Sequence, residues 1–502
     1  LIGDAVDTLQ HLLAGLAAAA SLQNLSFALI GCILGTLIGV LPGLGPAAGT
    51  AILIPLTFQL DPVGAIIMLS AIYYGAMYGG TITSVLINVP GEAASVITCF
   101  DGYQMAKQGR GGTALGIAAI GSFIGGIAAT LALIVVAPPL ARFALSFGPP
   151  EFFALMLVGL CLITGLAGQS LLPALMMAVL GLLIAMVGID PVRGAPRFTF
   201  GIPNLYDGVG FIPVVMGLFG IAEILHTIDQ PYRQVVKTNL SSLLPSREEW
   251  RRSLGAIGRG TGIGFFLGLI PGVGAIIPTF IAYVVEKRVS KTPEQFGQGA
   301  IEGVAAPETA NNAYANAAMI PLLTLGIPSS PTIAVLMGAF IINGLTPGPF
   351  LFKERPDLVW AVIASFMIGN VMLLILNLPF VGLWARLLRL PYQYVCVGTL
   401  LFCVIGAYSL QQSVFDVGVM IACGVIGYGL RKIDLPIAPF VLGLILGPFI
   451  EKSLRTSLEM SGGDFSIFYT RPLCLGLLLF AAVVLIGSLL RLPPPAVRED
   501  SD

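Results

Sequence analysis

Apolar runs close to the roughly 20 residues that a helix needs to cross a bilayer recur near 63–88, 113–137, 151–168, 171–188, 205–226, 297–325, 357–384, 393–410, 413–430, 435–450 and 471–490. Polar and charged residues collect between them, so the pattern predicts a chain of membrane helices. Two further runs are interrupted at mid-length: 26–58 by PGLGP and 261–286 by PGVG. Two short apolar pieces, 92–105 and 331–343, follow the breaks NVPGE and GIPSS. The stretch 4–20, with Asp4, Asp7 and His11 at one end, suits either a short span or an interfacial helix. Proline breaks a helix, and the 12-residue arm after PGLGP reaches only about 18 Å at 1.5 Å per residue. A bilayer core is about 30 Å thick, so the arm predicts a re-entrant hairpin that enters and leaves on one side.

Composition narrows the class. Of 502 residues, 56% are hydrophobic and 10% charged, where soluble domains carry about 25% charge. The chain is therefore expected to be an all-α polytopic membrane protein with the lipid bilayer as its solvent. A net charge of −1 gives no reason to expect nucleic acid. Seven cysteines lack metal-ligand spacing and only two histidines are present. No enzyme chemistry, transition metal or cofactor is expected from such a set. Lysines and arginines orient the spans. With Arg233, Lys237, Arg247, Arg251, Arg252 and Arg259 taken as cytoplasmic, threading puts 17 of the 25 basic residues inside and 8 outside. The outer set is Arg142, Arg193, Arg197, Lys353, Arg355, Lys452, Arg455 and Arg471. The first hairpin, flanked by the uncharged QLDP (59–62), then opens outward. The second, flanked by the basic linker and EKRVSK (286–291), opens inward. In this threading Glu286, Lys287 and Arg288 are solvated loop ends, and Trp384 marks an interface.

Opposite openings are what an inverted-topology repeat produces, and the numbering supports one. Adding 229 to Gly31, Gly35, Gly39, Pro42, Gly43 and Gly45 gives Gly260, Gly264, Gly268, Pro271, Gly272 and Gly274. Adding 238 carries the break 88–92 onto 326–330. The expected organisation is an N-terminal helix (1–21), a first repeat (22–226), a basic cytoplasmic linker (227–252), a second repeat (253–450) and a C-terminal segment (451–502).

Glycines every four residues line one helix face and suit close packing. The tips are different, because hairpin ends leave helix-terminal N–H and C=O groups unpaired, which suit an anion and a cation respectively. Pro42, Gly43, Leu44, Gly45 and Pro46, with Pro271, Gly272, Val273 and Gly274, are therefore substrate-binding candidates, joined by Asn88, Pro90, Gly91, Ser329 and Ser330 at the breaks. Hard oxygen ligands for an alkali cation come from Thr81, Thr83, Ser84, Ile87 and Asn88. Asn311, Asn312, Asn316, Leu325, Gly326 and Ser329 supply the second half's share. Polar glue between helices is the competing reading. Glu92 and Glu308 suit proton carriage, although Glu92 could instead cap the following helix and Glu308 could sit near a helix start. No lysine or arginine lies in either hairpin's apolar run or in the breaks, so an anion would be held weakly, with a cation's help.

The motifs LIGVLPGLGPAAGTAILIPLTF (37–58), YGAMYGGTITSVLINVPGEAAS (74–95), GLIPGVGA (268–275), APETANNA (306–313) and LTLGIPSSPT (323–332) resemble the large membrane subunit of the tripartite tricarboxylate transporters, the TctA family. The resemblance covers roughly 22–480. It implies a secondary transporter of the bacterial inner membrane that works with a small membrane subunit (TctB-like) and a periplasmic solute-binding protein (TctC-like). It also implies an organic-anion substrate such as a tricarboxylate or dicarboxylate, sodium as coupling ion, and an elevator-type mechanism. A proton-coupled carrier and an organic-anion channel are the alternatives.

Overall fold

The computed structural model describes residues 2–41, 44–166, 171–190, 193–227, 235, 236, 238, 242–388 and 392–489. Pro42 and Gly43 of the first tip lie outside this set, as do Arg233, Lys237, Arg389, Arg491 and Arg498 of the orientation count. Among the described residues the chain is helical almost throughout, with one short antiparallel strand pair, Gly188–Ile189 against Pro196–Arg197. Six helices among them are long and apolar enough to cross a membrane: Leu22–Val40, Pro62–Ile87, Gly111–Ala144, Pro356–Asn377, Val414–Lys432 and Ile437–Met460. The fold is that of an all-α, multi-pass membrane protein.

Two compact units form, each from two stretches of chain: Leu1–Ser146 with Gly210–Gly429, and Phe147–Val209 with Leu430–Asp502. In the second unit, helices Leu171–Ala185 and Ile437–Met460 meet at small residues, Gly443 facing the Ala178 carbonyl and Gly181 that of Phe440. At one end of this unit Asp190 and Glu451 hold Arg197 and Arg455 in a four-charge network.

The first unit contains every candidate motif. Leu22–Val40 and Gly45–Leu53 form the first hairpin. A long helix, Pro62–Ile87, then breaks and resumes at Val96–Lys107, followed by Gly111–Ala144. The same order recurs: a hairpin of Arg247–Gly268 and Ile276–Val289, a helix in two pieces (Glu302–Ala317, Met319–Leu325), a break, a resumed helix Pro331–Ile342, and Pro356–Asn377. Helix starts follow local chemistry. Asp61 caps the Gly64 N–H at 3.1 Å with Pro62 in the first turn, and Ser246 and Glu249 form a capping box. The second hairpin's outgoing arm thus begins at Arg247, so the last residues of the expected linker 227–252 are helical. Of the expected span 297–325, residues 297–301 precede the helix. The expected 113–137 span extends to Gly111–Ala144, running through Pro138 and Pro139.

The glycine stripe sits where each hairpin meets its broken helix. A Cβ on Gly31, Gly35 or Gly39 would strike the carbonyls of Met68, Ile72 or Ala76. One on Gly260 or Gly264 would strike those of Ala306 or Ala310. The return arms then cross over. Gly45–Leu53 packs on Pro331–Ile342, and Ile276–Val289 packs on Val96–Lys107 and on the turn Ala93–Ser95 before it.

Asp101 makes a second tie between the sequence halves. Fully buried, it accepts N–H bonds from Gly297, Gly299 and Ala300 and the Tyr283 hydroxyl bond, all at 2.8 Å. This carboxylate pins the loop that leads into the second broken helix onto the first resumed helix. Asp101→Ala orphans three N–H groups at about 1–3 kcal/mol each. The expected outcome is a lower thermal midpoint and faster proteolysis within 293–300 than in wild type. Unchanged cleavage there would show that the loop holds without Asp101.

Two expectations are corrected. Glu286 is not a solvated loop end: it is 3% exposed and pairs in two places with Arg259 at 2.7 Å, because both hairpin arms stay helical that far. Trp384 lies in the core rather than at an interface, its indole N–H donating to the Leu376 carbonyl at 2.9 Å.

Candidate functional site

Both hairpin tips turn on left-handed glycines, Gly45 at φ +59° and Gly274 at φ +69°. Neither glycine is crowded, so conformation rather than space calls for glycine there. Gly272 is left-handed as well, and Val273 is buried beside it. Leu44 and Ala275 precede the return arms and offer no side-chain cap. The first-turn N–H groups of those arms therefore face the tips uncapped by side chains, with Pro46 in the first turn of one arm.

The breaks repeat each other in detail. Ile87 ends the first helix and Asn88 follows at φ 54°; Leu325 ends the second and Gly326 follows at φ 70°. Asparagine is among the few non-glycine residues that tolerate this region. Pro90 and Pro328 prevent the helix from continuing. The chain resumes at Glu92, which makes a capping box with Ser95, and at Ser330, which caps the Ile333 N–H at 3.3 Å. A side chain on Gly91 would meet the Gly39 carbonyl, Gly80 and, at 2.8 Å, the Thr83 hydroxyl. The first break therefore lies against the end of the first hairpin's outgoing arm. In the second half, the Tyr314 hydroxyl donates to the Ser329 carbonyl at 3.2 Å and also touches the Ser330 side chain and the Gly274 backbone. One phenol joins that tip to that break.

Helix Glu302–Ala317 carries the densest polar face. Its residues 308, 312 and 316 share one side at four-residue spacing. Glu308 accepts from the Thr81 hydroxyl at 2.6 Å and from that of Thr98. Asn312 donates to Ser122 at 2.7 Å, and Asn316 accepts from Thr130 at 3.0 Å. Asn311 donates to Glu92 at 2.5 Å. Thr83 and Ser84 both donate to the Gly80 carbonyl at 2.9 Å, and Ser84 also contacts the Ser95 carbonyl. Asn312 and Asn316 thus do serve as links between helices, and Glu308 is fully enclosed rather than at a helix start. Glu92 is both a cap and a partner of the second half.

Several buried polar groups of this unit stay unspent, and two of them lie within reach of Glu92. The Asn311 Oδ1 and the Tyr73 hydroxyl are buried with no hydrogen-bond partner among the described residues. Glu92 lies within electrostatic reach of Tyr73, as does Tyr314. Neither Glu92 nor Glu308 has a lysine or arginine in contact among the described residues; their partners are amides and hydroxyls. Thr98, Ser122, Thr130 and Tyr73 were not among the sequence candidates. Thr98, Ser122 and Thr130 carry little local signal, and only the fold brings each to its partner, while Tyr73 enters the region without a hydrogen-bond partner among the described residues.

The sequence profile of the tripartite tricarboxylate transporter TctA family matches residues 25–442. An uncharacterized 52.8 kDa protein in the TAR-I ttuC′ 3′ region of Agrobacterium vitis is 46% identical over 498 residues, 99% of this chain and 98% of its own. A second protein of that organism, uncharacterized and in the TAR-II ttuC′ 3′ region, is 46% identical over 239 residues, covering 48% of this chain and 97% of its own length. No solved structure matches significantly. The profile match takes in both hairpins, both breaks and the polar helix between them. The chain belongs to the tripartite tricarboxylate transporter TctA family.

Proposed function

We propose that this chain is the carboxylate-carrying subunit of a sodium-coupled importer in a bacterial inner membrane. A solute-binding protein feeds it and a small membrane subunit accompanies it. Its two halves act as inverted repeats whose hairpins and broken helices move together in an elevator-type step. The uncapped return-arm N-termini supply the positive ends for a substrate carboxylate, since neither tip sequence carries a lysine or arginine. The coupling cation sits beside Asn311, with Glu92 and Glu308 as nearby negative charge. One observation carries the sodium reading: Asn311 Oδ1 is a buried oxygen with no donor among the described residues, next to carboxylates without a cationic partner. A buried charge is costly unless paired, and an alkali cation would pair it.

A proton bound to Glu92 or Glu308 would remove the same cost, and their hydroxyl and amide partners are compatible with that second reading. Reconstitution with both partner subunits separates the two. Across a panel of mono-, di- and tricarboxylates, an inward sodium gradient at constant pH is expected to raise uptake at least about tenfold over potassium. Uptake indifferent to sodium and driven by a pH gradient would replace sodium with the proton.

A further inference from the structure

Asp416 stands apart from the other enclosed carboxylates. Glu151, Glu286, Glu302 and Asp190 each hold an arginine, at 2.6 Å, 2.7 Å, 2.6 Å and 3.0 Å respectively. The Asp416 carboxylate has no donor or cation among the described residues, although the residue is only 6% exposed. Its backbone N–H is taken by the Ser413 hydroxyl at 3.4 Å, and its place in the first turn of Val414–Lys432 favours a negative charge. The side chain lines a cavity of about 440 Å³, together with Phe58, Phe211, Pro213, Ser409 and Gln411. That size suits a small organic group. Two phenylalanine rings, one unpaired carboxylate, a hydroxyl and an amide are the chemistry that receives an alkylammonium or guanidinium group.

We propose that this cavity receives a lysine or arginine side chain presented on the outer face by the soluble partner. The assignment of side and partner rests on the proposed function: in its threading the segments that line the cavity all end on the outer side. The cavity also adjoins two elements that lead to the candidate site. Phe58 follows the turn that ends the first return arm, and Phe211 lies against Gly338 of the second resumed helix. A partner seated there therefore touches an element of each half.

The first arm of the test needs no transport. Full-length protein in detergent is titrated with n-butylguanidinium and n-butylammonium by ligand-detected NMR, with n-butanol as the neutral control. Both cations are expected to bind wild type and Asp416→Glu, and to bind Asp416→Asn at least about tenfold more weakly. Equal binding to Asp416→Asn, or none to wild type, overturns the site. In the second arm, proteoliposomes with the small subunit are titrated with the soluble partner. Asp416→Asn is expected to raise its half-saturating concentration at least about tenfold and leave uptake at saturation unchanged. Excess n-butylguanidinium should produce the same shift in wild type, a readout that does not depend on a variant folding. Cation binding without either shift overturns the partner assignment. If wild type transports no carboxylate, the functional reading fails, while the NMR arm still judges the cavity.

Discussion

Uptake by a Glu308→Gln variant is expected to fall by about two orders of magnitude at limiting sodium, with the half-saturating sodium concentration raised. The side chain sits in a fully enclosed position and accepts from Thr81 and Thr98. Glutamine keeps the shape and an accepting oxygen, so the hydroxyl contacts can re-form and the fold should persist. What disappears is the charge that a bound cation would pair with. Losing one partner of a buried ion pair costs about 3–5 kcal/mol, which is a factor of 100 or more at 1.4 kcal/mol per decade. Glu92→Gln should act in the same direction, because Asn311 donates to it at 2.5 Å. Asn311→Ala removes the unspent oxygen together with the N–H that Glu92 accepts, leaves both carboxylates in the chain, and should raise the sodium requirement. Sodium titration of uptake at fixed pH is the measurement. A variant that keeps wild-type sodium dependence and loses its response to a pH gradient would identify Glu308 as a proton carrier instead.

How far such a site can be read from the sequence depends on whether its parts repeat. The offset of 238 that pairs Asn88 with Gly326 also pairs Glu92 with Ser330, and both members of each pair have the same role: left-handed helix end in one case, cap of the resumed helix in the other. The offset of 229 pairs Gly45 with Gly274, again alike in conformation. Backbone features of this kind are legible because glycine, proline and asparagine are chosen for φ, a local property. Partnerships are not local. Thr98 and Thr130 look like filler in apolar runs, yet one meets Glu308 and the other Asn316, some two hundred residues along the chain. Asp101 gives no sign of collecting three N–H groups from 297–300. Charged ends mislead for the same reason: Glu286 reads as solvated until Arg259, on the opposite arm, is in place.

The glycine stripe yields the second large expected effect, with its control built into the same helix. Along Arg247–Gly268, Gly260 and Gly264 face the broken helix, whereas a Cβ added at Gly258 or Gly262 would have nothing within 4 Å. In Gly264→Ala the new methyl would lie 2.9 Å from the Ala310 Cα and closer still to its carbonyl. Both are backbone atoms, which cannot swing aside, so the helices must separate. Overpacking of this kind costs about 1–3 kcal/mol, more when backbone must move. Gly262→Ala adds the same methyl into open space and gains about 1 kcal/mol from reduced unfolded-chain freedom and better helix propensity. Gly35→Ala should behave like Gly264→Ala, since its methyl would lie 2.8 Å from the Ile72 Cα. Thermal unfolding in detergent should therefore rank Gly262→Ala above wild type and wild type above both stripe variants. The packed variants should lose uptake even below their melting points, because Gly264 sets the approach of the helix that carries Glu308, Asn311 and Asn312. Equal midpoints for Gly262→Ala and Gly264→Ala would mean that the hairpin and the broken helix do not meet at this stripe, and the placement of the polar helix would fall with it.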